Sequence, residues 1–344
     1  MPSIAEPPVQ AGGTLSANDF HSGAMVRWCP GCGDYSILSA VQSVLAKQGK
    51  APHQYAFISG IGCSSRFPHY MSTYGFHSIH GRAPAVATGV KAVNPDLEVW
   101  VITGDGDCLS IGGNHIIHAL RRNQDFKVLL FNNRIYGLTK GQFSPTSPMG
   151  LVNKSAPLGT IDAPLHPVSL ALAAGATFVA RTADNDVNHL RETLTRAANH
   201  KGSAFVEILQ NCVIFYDKAH EDYYGLKTRK DNILYLHDGQ PLVYGATVEK
   251  GLVLDGLDVK AVDAASAPKD GLLTHDEAQE SGMLAYLLSK LDYPEFPVPL
   301  GVFRDVTKPT YDRLLNHQVE EAKKAKGEGD LAKLLKGPQT WQVK

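Results

Sequence analysis

Residues 98–123 read EVWVITGDGDCLSIGGNHIIHALRRN, and residues 127–133 read KVLLFNN. The first stretch passes from an apolar strand through a Gly-Asp-Gly turn into a helix, and the second is an apolar strand that ends in two asparagines. In a parallel sheet both strands end at the same edge, so Asp105 and Asn133, 28 residues apart, can converge on one point. Their carboxylate and amide oxygens are hard ligands of the kind that suit Mg²⁺.

The two glycines of this turn favour a site for a phosphate group. Gly104 and Gly106 allow the main chain to turn sharply and to approach a ligand closely. A helix predicted to begin at about Ser110 would add backbone N–H groups and a positive dipole end for an anion. Gly-Asp-Gly alone is weak evidence, because it is also a common strand-ending turn. With the asparagine pair after the next strand, it predicts a metal-bound phosphate.

The pattern around these segments predicts an α/β fold with a mostly parallel sheet and helices on both faces. Further buried strands are predicted at residues 55–60 and 203–209. Helices are predicted at residues 34–48, 82–93, 114–123, 169–178 and 187–200. Three regions follow from this pattern: an extended arm (1–20), a cofactor-binding α/β domain (21–216) and a C-terminal extension that packs on the core or on a partner (217–344). Within the extension we expect a hairpin (249–264), a helix (277–291), a Pro-rich run (293–303) and a charged, helical tail (319–336).

Composition excludes several classes of function. The chain has 344 residues, with 33 basic and 34 acidic side chains and a net charge of -1, so no broad field would hold nucleic acid or an anionic membrane. No apolar run reaches the roughly 18 residues of a membrane span. The opening MPSIAEPPVQAGG lacks the layout of a secretory signal. We therefore expect a soluble, cytoplasmic protein.

The five cysteines do not have the pattern of a disulfide framework. Cys29 and Cys32 form a CxxC, Cys63 ends a strand, and Cys212 follows the last strand of the core, so four thiolates can meet at one edge of the sheet. Structural zinc and an iron–sulfur cluster both remain open, although one CxxC with two isolated cysteines fits zinc less well. Scattered buried thiols are the simplest alternative. Cys108 is interpreted as a small apolar residue at a helix start, and a redox role there has no other support.

The metal loop and the cysteine pattern together resemble the β subunit of the 2-oxoacid:ferredoxin oxidoreductases. The matching segments span residues 28 to about 304 and are WCPGCGDYSIL, SGIGCSSR, HGRAPAVATGVK, GDGDCLSIGGNHIIHALRRN, NNRIYGLTKGQFSPTS, QNC and YPEFPVPLGVFR. The resemblance implies a thiamine diphosphate-binding fold in which Asp105, Asn133 and the main-chain carbonyl of Ile135 bind Mg²⁺. It also implies one [4Fe–4S] cluster, with the ligands Cys29, Cys32, Cys63 and Cys212.

The resemblance further implies contacts with thiamine diphosphate, and His80 is the contact to which we give a catalytic role. A histidine in a Gly-Arg turn can equally be a structural turn residue. The residues in the contacting positions are Gly60, Ile61, Cys63, His80, Gly104, Asp105, Gly106, Asp107, Asn133, Gly137, Leu138 and Thr139.

The implied reaction converts a 2-oxoacid, coenzyme A and oxidised ferredoxin into acyl-CoA, CO₂ and reduced ferredoxin, or runs in reverse to fix carbon as in the reductive TCA cycle. Family members specific for pyruvate commonly carry Gly-Gly-Gln after the metal-binding asparagine, whereas this chain has GLTKGQ at residues 137–142. Lys140 adds a cation suited to a second substrate carboxylate, so we give it a catalytic role and favour 2-oxoglutarate over pyruvate or a broad range of 2-oxoacids. An exposed loop lysine, or one that binds coenzyme A phosphates, is the alternative.

The chain contains only one core with a diphosphate motif. In this family the pyrimidine-binding domain must then lie on another chain, so we expect an α subunit and an αβ heterodimer or a dimer of such pairs. Two other classes fit less well: a non-oxidative thiamine diphosphate enzyme has no use for four cysteines, and a zinc-stabilised binding module has no reason for the Gly-Asp-Gly and Asn-Asn pair.

Overall fold

The computed structural model describes residues 15–267, 271–341 and 343 of the chain. The strands, in chain order, are β1 (Tyr55–Ser59), β2 (Tyr74–His77), β3 (Glu98–Gly104), β4 (Phe126–Asn132), β5 (Ile135–Tyr136), β6 (Gln142–Phe143), β7 (Phe178–Ala183), β8 (Ala204–Leu209), β9 (Ile233–Leu236), β10 (Val243–Tyr244), β11 (Lys250–Asp255), β12 (Asp258–Asp263) and β13 (Val298–Asp305). The helices are α1 (Asp34–Gln48), α2 (Ala83–Val93), α3 (Gly113–Arg121), α4 (Pro167–Ala173), α5 (Val187–Asn199), α6 (Glu221–Tyr224), α7 (Arg229–Asn232), α8 (Met283–Ser289), α9 (Tyr311–Lys326) and α10 (Leu331–Lys336).

Eight strands form one sheet in the order β2-β1-β3-β4-β8-β7-β13-β9. Neighbours from β2 to β7 pair in parallel, β13 is antiparallel to β7, and β9 is parallel to β13. The predicted α/β fold with a mostly parallel sheet is therefore confirmed. The carboxyl ends of the parallel strands share one edge, which is where such sheets bind ligands.

Helices cover both faces of the sheet, as predicted. The alternation along β3 shows why: Val99 and Val101 pack in a core cluster with α2, α3, α4 and α8, whereas Trp100 and Ile102 pack in a second cluster with α1 and α5. A central strand with apolar residues on both faces forms only when both faces are covered.

Four strands of the main sheet, β2, β7, β9 and β13, were missed in the sequence. The predicted helix at 169–178 ends early as α4, because Gly175 turns the chain with a φ of 82° and β7 begins at Phe178. A short apolar run fits either a strand or a buried helix, so periodicity could not separate them. The Pro-rich run overlaps with β13, although Pro299 has no N–H to donate and argues against a strand in the interior of a sheet.

The C-terminal extension contributes to the main sheet, since β9 and β13 both follow residue 216. The predicted hairpin is present as β11 and β12, which pair with β10 in a small antiparallel sheet. Residues 1–14 of the predicted arm lie outside the described residues. The rest of the arm is not extended: Ala17–Phe20 forms a 3₁₀ turn, and the fully buried ring of Phe20 lies 5.7 Å from that of Tyr55.

β2 forms one edge of the main sheet, and all four of its residues are exposed. Tyr74 and Phe76 are 58% and 50% exposed, so this edge presents aromatic side chains to solvent. Among the residues described, no helix combines the length and apolar character that a membrane crossing requires.

Candidate cofactor site at the carboxyl edge of the sheet

Asp105 and Asn133 follow the carboxyl ends of two neighbouring strands. β3 and β4 are neighbours, with Gly104 opposite Phe131, so the residues that follow the two strands meet at the same edge. Both side chains line a single cleft of about 90 Å³, and Ile135 lines it with them. Burial raises the pKa of Asp105, which is 2% exposed, and no Lys, Arg or His within the described ranges lies within ion-pair distance of it. A buried carboxylate without a cationic partner, beside an amide oxygen, fits a hard metal ion.

Three hydroxyl groups from the segment after β6 hold this edge together, and we call Ser144, Thr146 and Ser147 the hydroxyl brace. The Asp105 Oδ2 atom accepts hydrogen bonds from Ser144 Oγ at 2.5 Å and from Thr146 Oγ1 at 2.6 Å. Thr146 Oγ1 also lies 2.8 Å from Asn132 Oδ1. Ser147 Oγ donates to the main-chain carbonyl of Arg134 at 2.6 Å. The brace therefore ties the end of β3 to the end of β4.

Two positions beside the cleft require glycine, because side chains of other segments lie too close to leave room for a Cβ atom. A Cβ on Gly106 would lie 2.1 Å from the ring of Tyr136, and a Cβ on Gly60 would lie 2.0 Å from the carboxylate of Asp107. Tyr136 Oη in turn donates to the carbonyl of Gly106 at 3.1 Å. Glycine at these positions lets the turns after β1 and β3 close around the cleft.

Asp107 connects the walls of the cleft. Its Oδ1 accepts from the backbone N–H of Ile61 at 3.0 Å and of Gly81 at 2.7 Å, and its Oδ2 accepts from Thr103 Oγ1 at 2.7 Å. His80 Nδ1 lies 2.7 Å from the same Oδ1, although not in a linear hydrogen bond. Contact between Asp107 and a cofactor remains a prediction, and its bonds within the protein give it a positioning role.

Almost all of the residues that were predicted to contact the cofactor line the cleft. Only Gly60 lies outside the lining, behind Asp107. The lining residues from that set are Ile61, Cys63, His80, Gly104, Asp105, Gly106, Asp107, Asn133, Gly137, Leu138 and Thr139. The helix predicted from Ser110 begins three residues later, because Asp107–Ile111 forms a π turn before α3.

Lys140 lies on a tight turn beside the cleft. β5 and β6 form a short hairpin, closed by hydrogen bonds from Lys140 N to the carbonyl of Gly137 at 3.1 Å and from Gly141 N to the carbonyl of Tyr136 at 2.9 Å. Lys140 has a φ of 76°, which is unusual for a residue with a side chain. Its side chain is exposed to solvent.

Of the four predicted cluster cysteines, Cys63 and Cys212 lie beside the cleft at Gly137. Cys63 Sγ and Cys212 Sγ lie 3.7 Å and 3.4 Å from the position that a Cβ on Gly137 would occupy. The indole N–H of Trp28 donates to the carbonyl of Cys63 at 2.7 Å, which holds the CxxC segment against the strand end. Cys29 is the exposed member, and Gln210 Nε2 donates to Cys32 Sγ at 3.3 Å. All five cysteines are free thiols, and Cys108 is buried in the core, as its apolar interpretation expects.

Two of these thiols have raised pKa values. Burial raises the pKa of Cys32, and burial raises that of Cys63 to about 12, with the charge of Asp34 acting in the same direction. Within the described ranges, no three His, Cys, Asp or Glu side chains converge as ligands of one metal ion. A zinc ion needs that convergence, since its Zn–S bonds are about 2.3 Å long. In an iron–sulfur cluster each cysteine can bind a different iron atom, so this donor set fits a cluster better.

Asp34, a further residue of the cleft, was missed in the sequence. It is the first residue of α1 and is 2% exposed. Burial, with the nearby charge of Asp184, raises its pKa to about 7. The hydroxyl brace was missed as well, although its Ser-Pro-Thr-Ser sequence at 144–147 is rich in hydroxyl groups.

Comparison with known proteins agrees with this geometry. The family described as "Thiamine pyrophosphate enzyme, C-terminal TPP binding domain" matches residues 60–208. The chain is 50% identical over 328 residues to the 2-oxoglutarate oxidoreductase subunit KorB of Mycobacterium tuberculosis, covering 94% of this chain and 88% of that one. It is 48% identical over 211 residues to subunit beta of 2-oxoacid:ferredoxin oxidoreductase 1 of Aeropyrum pernix, covering 61% of this chain and 65% of that one.

A solved structure extends the agreement to the fold. A chain of the 2-oxoglutarate:ferredoxin oxidoreductase from Magnetococcus marinus, solved with 2-oxoglutarate, coenzyme A and succinyl-CoA bound, matches with a TM-score of 0.74 and 32% identity. The match covers 93% of this chain and 95% of that chain. The resemblance drawn from the sequence is thus confirmed, and the protein belongs to the β-subunit family of the 2-oxoacid:ferredoxin oxidoreductases.

Proposed function

We propose that the chain is the β subunit of a 2-oxoglutarate:ferredoxin oxidoreductase. The reaction converts 2-oxoglutarate, coenzyme A and oxidised ferredoxin into succinyl-CoA, CO₂ and reduced ferredoxin, and the same residues serve the reverse, carbon-fixing direction. The observation that carries the proposal is that one cleft is lined by Asp105, Asn133 and Ile135, while the thiols of Cys63 and Cys212 lie beside its Gly137 wall.

The diphosphate end of the site would be held through a metal. Asp105, Asn133 and the carbonyl of Ile135 would bind Mg²⁺, and the hydroxyl brace would fix the Asp105 carboxylate toward it. Gly104 and Gly106 leave room for phosphate oxygens to approach the main chain. Burial of the site strengthens the attraction between the carboxylate and the ion.

Thiamine diphosphate, when bound in the cleft, supplies the electron sink that allows CO₂ to leave a 2-oxoacid. The protein's part is to orient and to exclude water. His80 lines the cleft with its Nδ1 atom 2.7 Å from Asp107 Oδ1, and it would hold or move a proton at the reacting end of the cleft.

Cys29, Cys32, Cys63 and Cys212 would hold one [4Fe–4S] cluster next to this site. The closeness of the thiols to Gly137, which itself lines the cleft, supports a short path for electrons. The exposure of Cys29 supports an exit toward ferredoxin at the surface.

Lys140 would select 2-oxoglutarate over pyruvate by pairing with the second carboxylate of the substrate. Its turn joins the cleft-lining residues Gly137, Leu138 and Thr139, and its ammonium group is exposed. An ion pair at a partly exposed site contributes modestly, on the order of 1 kcal/mol or somewhat more, which is enough for a several-fold preference.

The remaining parts of the enzyme would lie on other molecules. We expect an α subunit with the pyrimidine-binding domain, in an αβ heterodimer or a dimer of such pairs, and a cytoplasmic location. The subunit names of the relatives support a partner chain.

The test of the function is an anaerobic assay of the enzyme purified with its α subunit. We expect a brown protein whose visible absorbance is bleached by dithionite. We also expect that the reduction of ferredoxin requires 2-oxoglutarate, coenzyme A and Mg²⁺. Lys140→Ala should lower kcat/KM for 2-oxoglutarate several-fold more than for pyruvate, whereas Lys154→Ala, on a neighbouring exposed loop, should leave the ratio unchanged. Colourless protein with stoichiometric zinc would end the oxidoreductase assignment, and equal losses for both acids would end the role of Lys140.

A further inference from the structure

A second cavity, of about 350 Å³, lies beside the cofactor cleft at the same edge of the sheet. It shares the end of β4 and the hydroxyl brace with the cleft, since Asn132 and Thr146 line it. Apolar side chains make up part of the wall, among them Leu165, Leu209 and Leu291. The volume is in the range of cavities that bind small molecules.

The backbone of Arg134 directs its side chain into this second cavity. Asn133 and Ile135 line the cofactor cleft, whereas Arg134, between them, lines the second cavity and not the cleft. Arg134 adopts a φ of 58°, a left-handed conformation that costs energy for a residue with a Cβ. With this conformation, three consecutive residues line two adjacent cavities: Asn133 and Ile135 line the cleft, and Arg134 lines the second cavity.

The guanidinium group of Arg134 has no anionic partner among the residues that the structure describes. Its Cζ lies 5.7 Å from the centre of the Tyr223 ring, and no carboxylate lies within 4.0 Å of it. The group donates no hydrogen bond to any described side chain or carbonyl, although the neighbouring brace satisfies the main-chain carbonyl of the same residue.

Of the two arginines that line the cavity, only Arg181 has an ion-pair partner among the described residues. Arg181 Nε donates to Glu207 Oε2 at 2.7 Å, so these two buried groups neutralise each other. Asp222 and Asp292 also line the cavity, but both are exposed at its mouth. His166 is uncharged near neutral pH, because burial lowers its pKa.

We propose that this cavity binds a small organic monoanion, whose carboxylate pairs with Arg134 while its apolar body lies against the leucine wall. A guanidinium group presents parallel N–H donors that match a carboxylate. The exposed carboxylates at the mouth would repel a second negative charge, so the site should prefer a monoanion to a dianion such as 2-oxoglutarate. The inference does not depend on the proposed reaction.

The test uses benzoate as the probe and benzamide as its neutral counterpart, with binding to the purified enzyme measured by calorimetry without turnover. Wild type should bind benzoate at least about tenfold more tightly than benzamide, because only benzoate gains a charged hydrogen-bonded pair. Arg134→Asn should lose this preference, and asparagine is chosen because it tolerates the left-handed backbone that carries Asn133 and Ile135. Binding of Mg²⁺ and thiamine diphosphate by the variant reports whether that backbone is intact.

Arg122→Gln is the matched control, since Arg122 also lies over a tyrosine ring, at 5.9 Å from Tyr311, but outside the cavity. It should bind benzoate as wild type does. The proposal is overturned if wild type does not bind benzoate, if benzamide binds equally well, or if Arg134→Asn binds benzoate unchanged. A wild type without a preference for benzoate overturns the proposal even if the variant fails to fold.

Discussion

Gly137 stands where the cofactor cleft meets the clustered thiols. It lines the cleft, and a Cβ added to it would lie 3.4 Å from Cys212 Sγ and 3.7 Å from Cys63 Sγ. These are ordinary van der Waals distances, so the metal-free chain has room for a methyl group. The same methyl group would occupy space between two thiols that the proposed cluster has to bridge.

Replacing Gly137 with alanine should therefore separate folding from cluster binding. We expect the variant Gly137→Ala to contain less iron per chain, while thermal unfolding of the metal-free protein changes little. Iron analysis and circular dichroism check the two parts. Gly89→Ala is the control. Residue 89 lies in α2, where alanine is preferred to glycine, and a Cβ at this position would have no other atom within 4 Å. Full iron content in Gly137→Ala would contradict the placement of the cluster.

At the residue scale, the sequence could predict side chains whose position follows from a strand end. Asp105 and Asn133 were predicted to converge because parallel strands end at one edge, and they line one cleft. Arg134 could not be placed in this way. Its left-handed backbone is imposed by tertiary packing, and no local pattern marks an arginine for that conformation.

Among the elements, the hydroxyl brace has the most direct effect on the site. Two of its hydroxyls reach one oxygen of Asp105, and Thr146 also reaches Asn132. The segment after β6 thereby fixes the relative position of the two strand ends that carry the proposed metal ligands. Groups that orient a ligand in this way affect metal affinity without touching the metal.

Removal of one hydroxyl from the brace should weaken metal binding. Thr146→Val keeps the shape of the side chain but removes the hydroxyl that lies 2.6 Å from Asp105 Oδ2 and 2.8 Å from Asn132 Oδ1, so the Mg²⁺ concentration needed for thiamine diphosphate binding should rise about tenfold or more. Calorimetric titration of the cofactor at several Mg²⁺ concentrations measures this.

Two companion variants separate this effect from general destabilisation. Thr146→Ser retains a hydroxyl and should recover most of the affinity. Thr160→Val removes a hydroxyl that donates to the carbonyl of Pro148 in the same segment and should leave the Mg²⁺ requirement unchanged. A Thr146→Val protein with wild-type Mg²⁺ dependence would show that the brace is only structural.

At the scale of elements, α1 and α5 were predicted correctly, whereas the helix predicted at 277–291 is limited to Met283–Ser289 (α8). α1 and α5 lie within a residue of their expected bounds, because each presents a sustained apolar face. β7 and β13 were missed, since a short apolar run after a glycine and a strand containing Pro299 both lack a distinctive period.

For the whole molecule, the position of β13 means that the C-terminal extension belongs to the folded core. β13 pairs with β7 on one side and with β9 on the other, and Val298, Leu300 and Phe303 are buried. Without these strands, β7 would become an exposed edge and its apolar face would lose its cover.

A chain that ends at residue 216 should therefore fail to fold cooperatively. We expect low solubility and no sharp thermal transition by circular dichroism, because several fully buried apolar side chains lose about 2 kcal/mol each of stabilisation. A chain that ends at Lys326 is the matched control. Of the described helices and strands it loses α10 alone, whose Leu331, Leu334 and Leu335 are 69%, 77% and 79% exposed, and it should unfold as the full chain does. A sharp transition in the shorter chain would show that the sheet is complete without the extension.

The open edge at β2 has a consequence for handling the protein. An edge strand with free backbone N–H and C=O groups is a template to which another extended chain can add, and charged residues or proline usually guard it. Residues 74–77 read YGFH, without a lysine, an acidic residue or a proline. At high concentration the isolated chain should begin to aggregate here, so a lysine in place of Phe76 is a first choice for keeping it in solution.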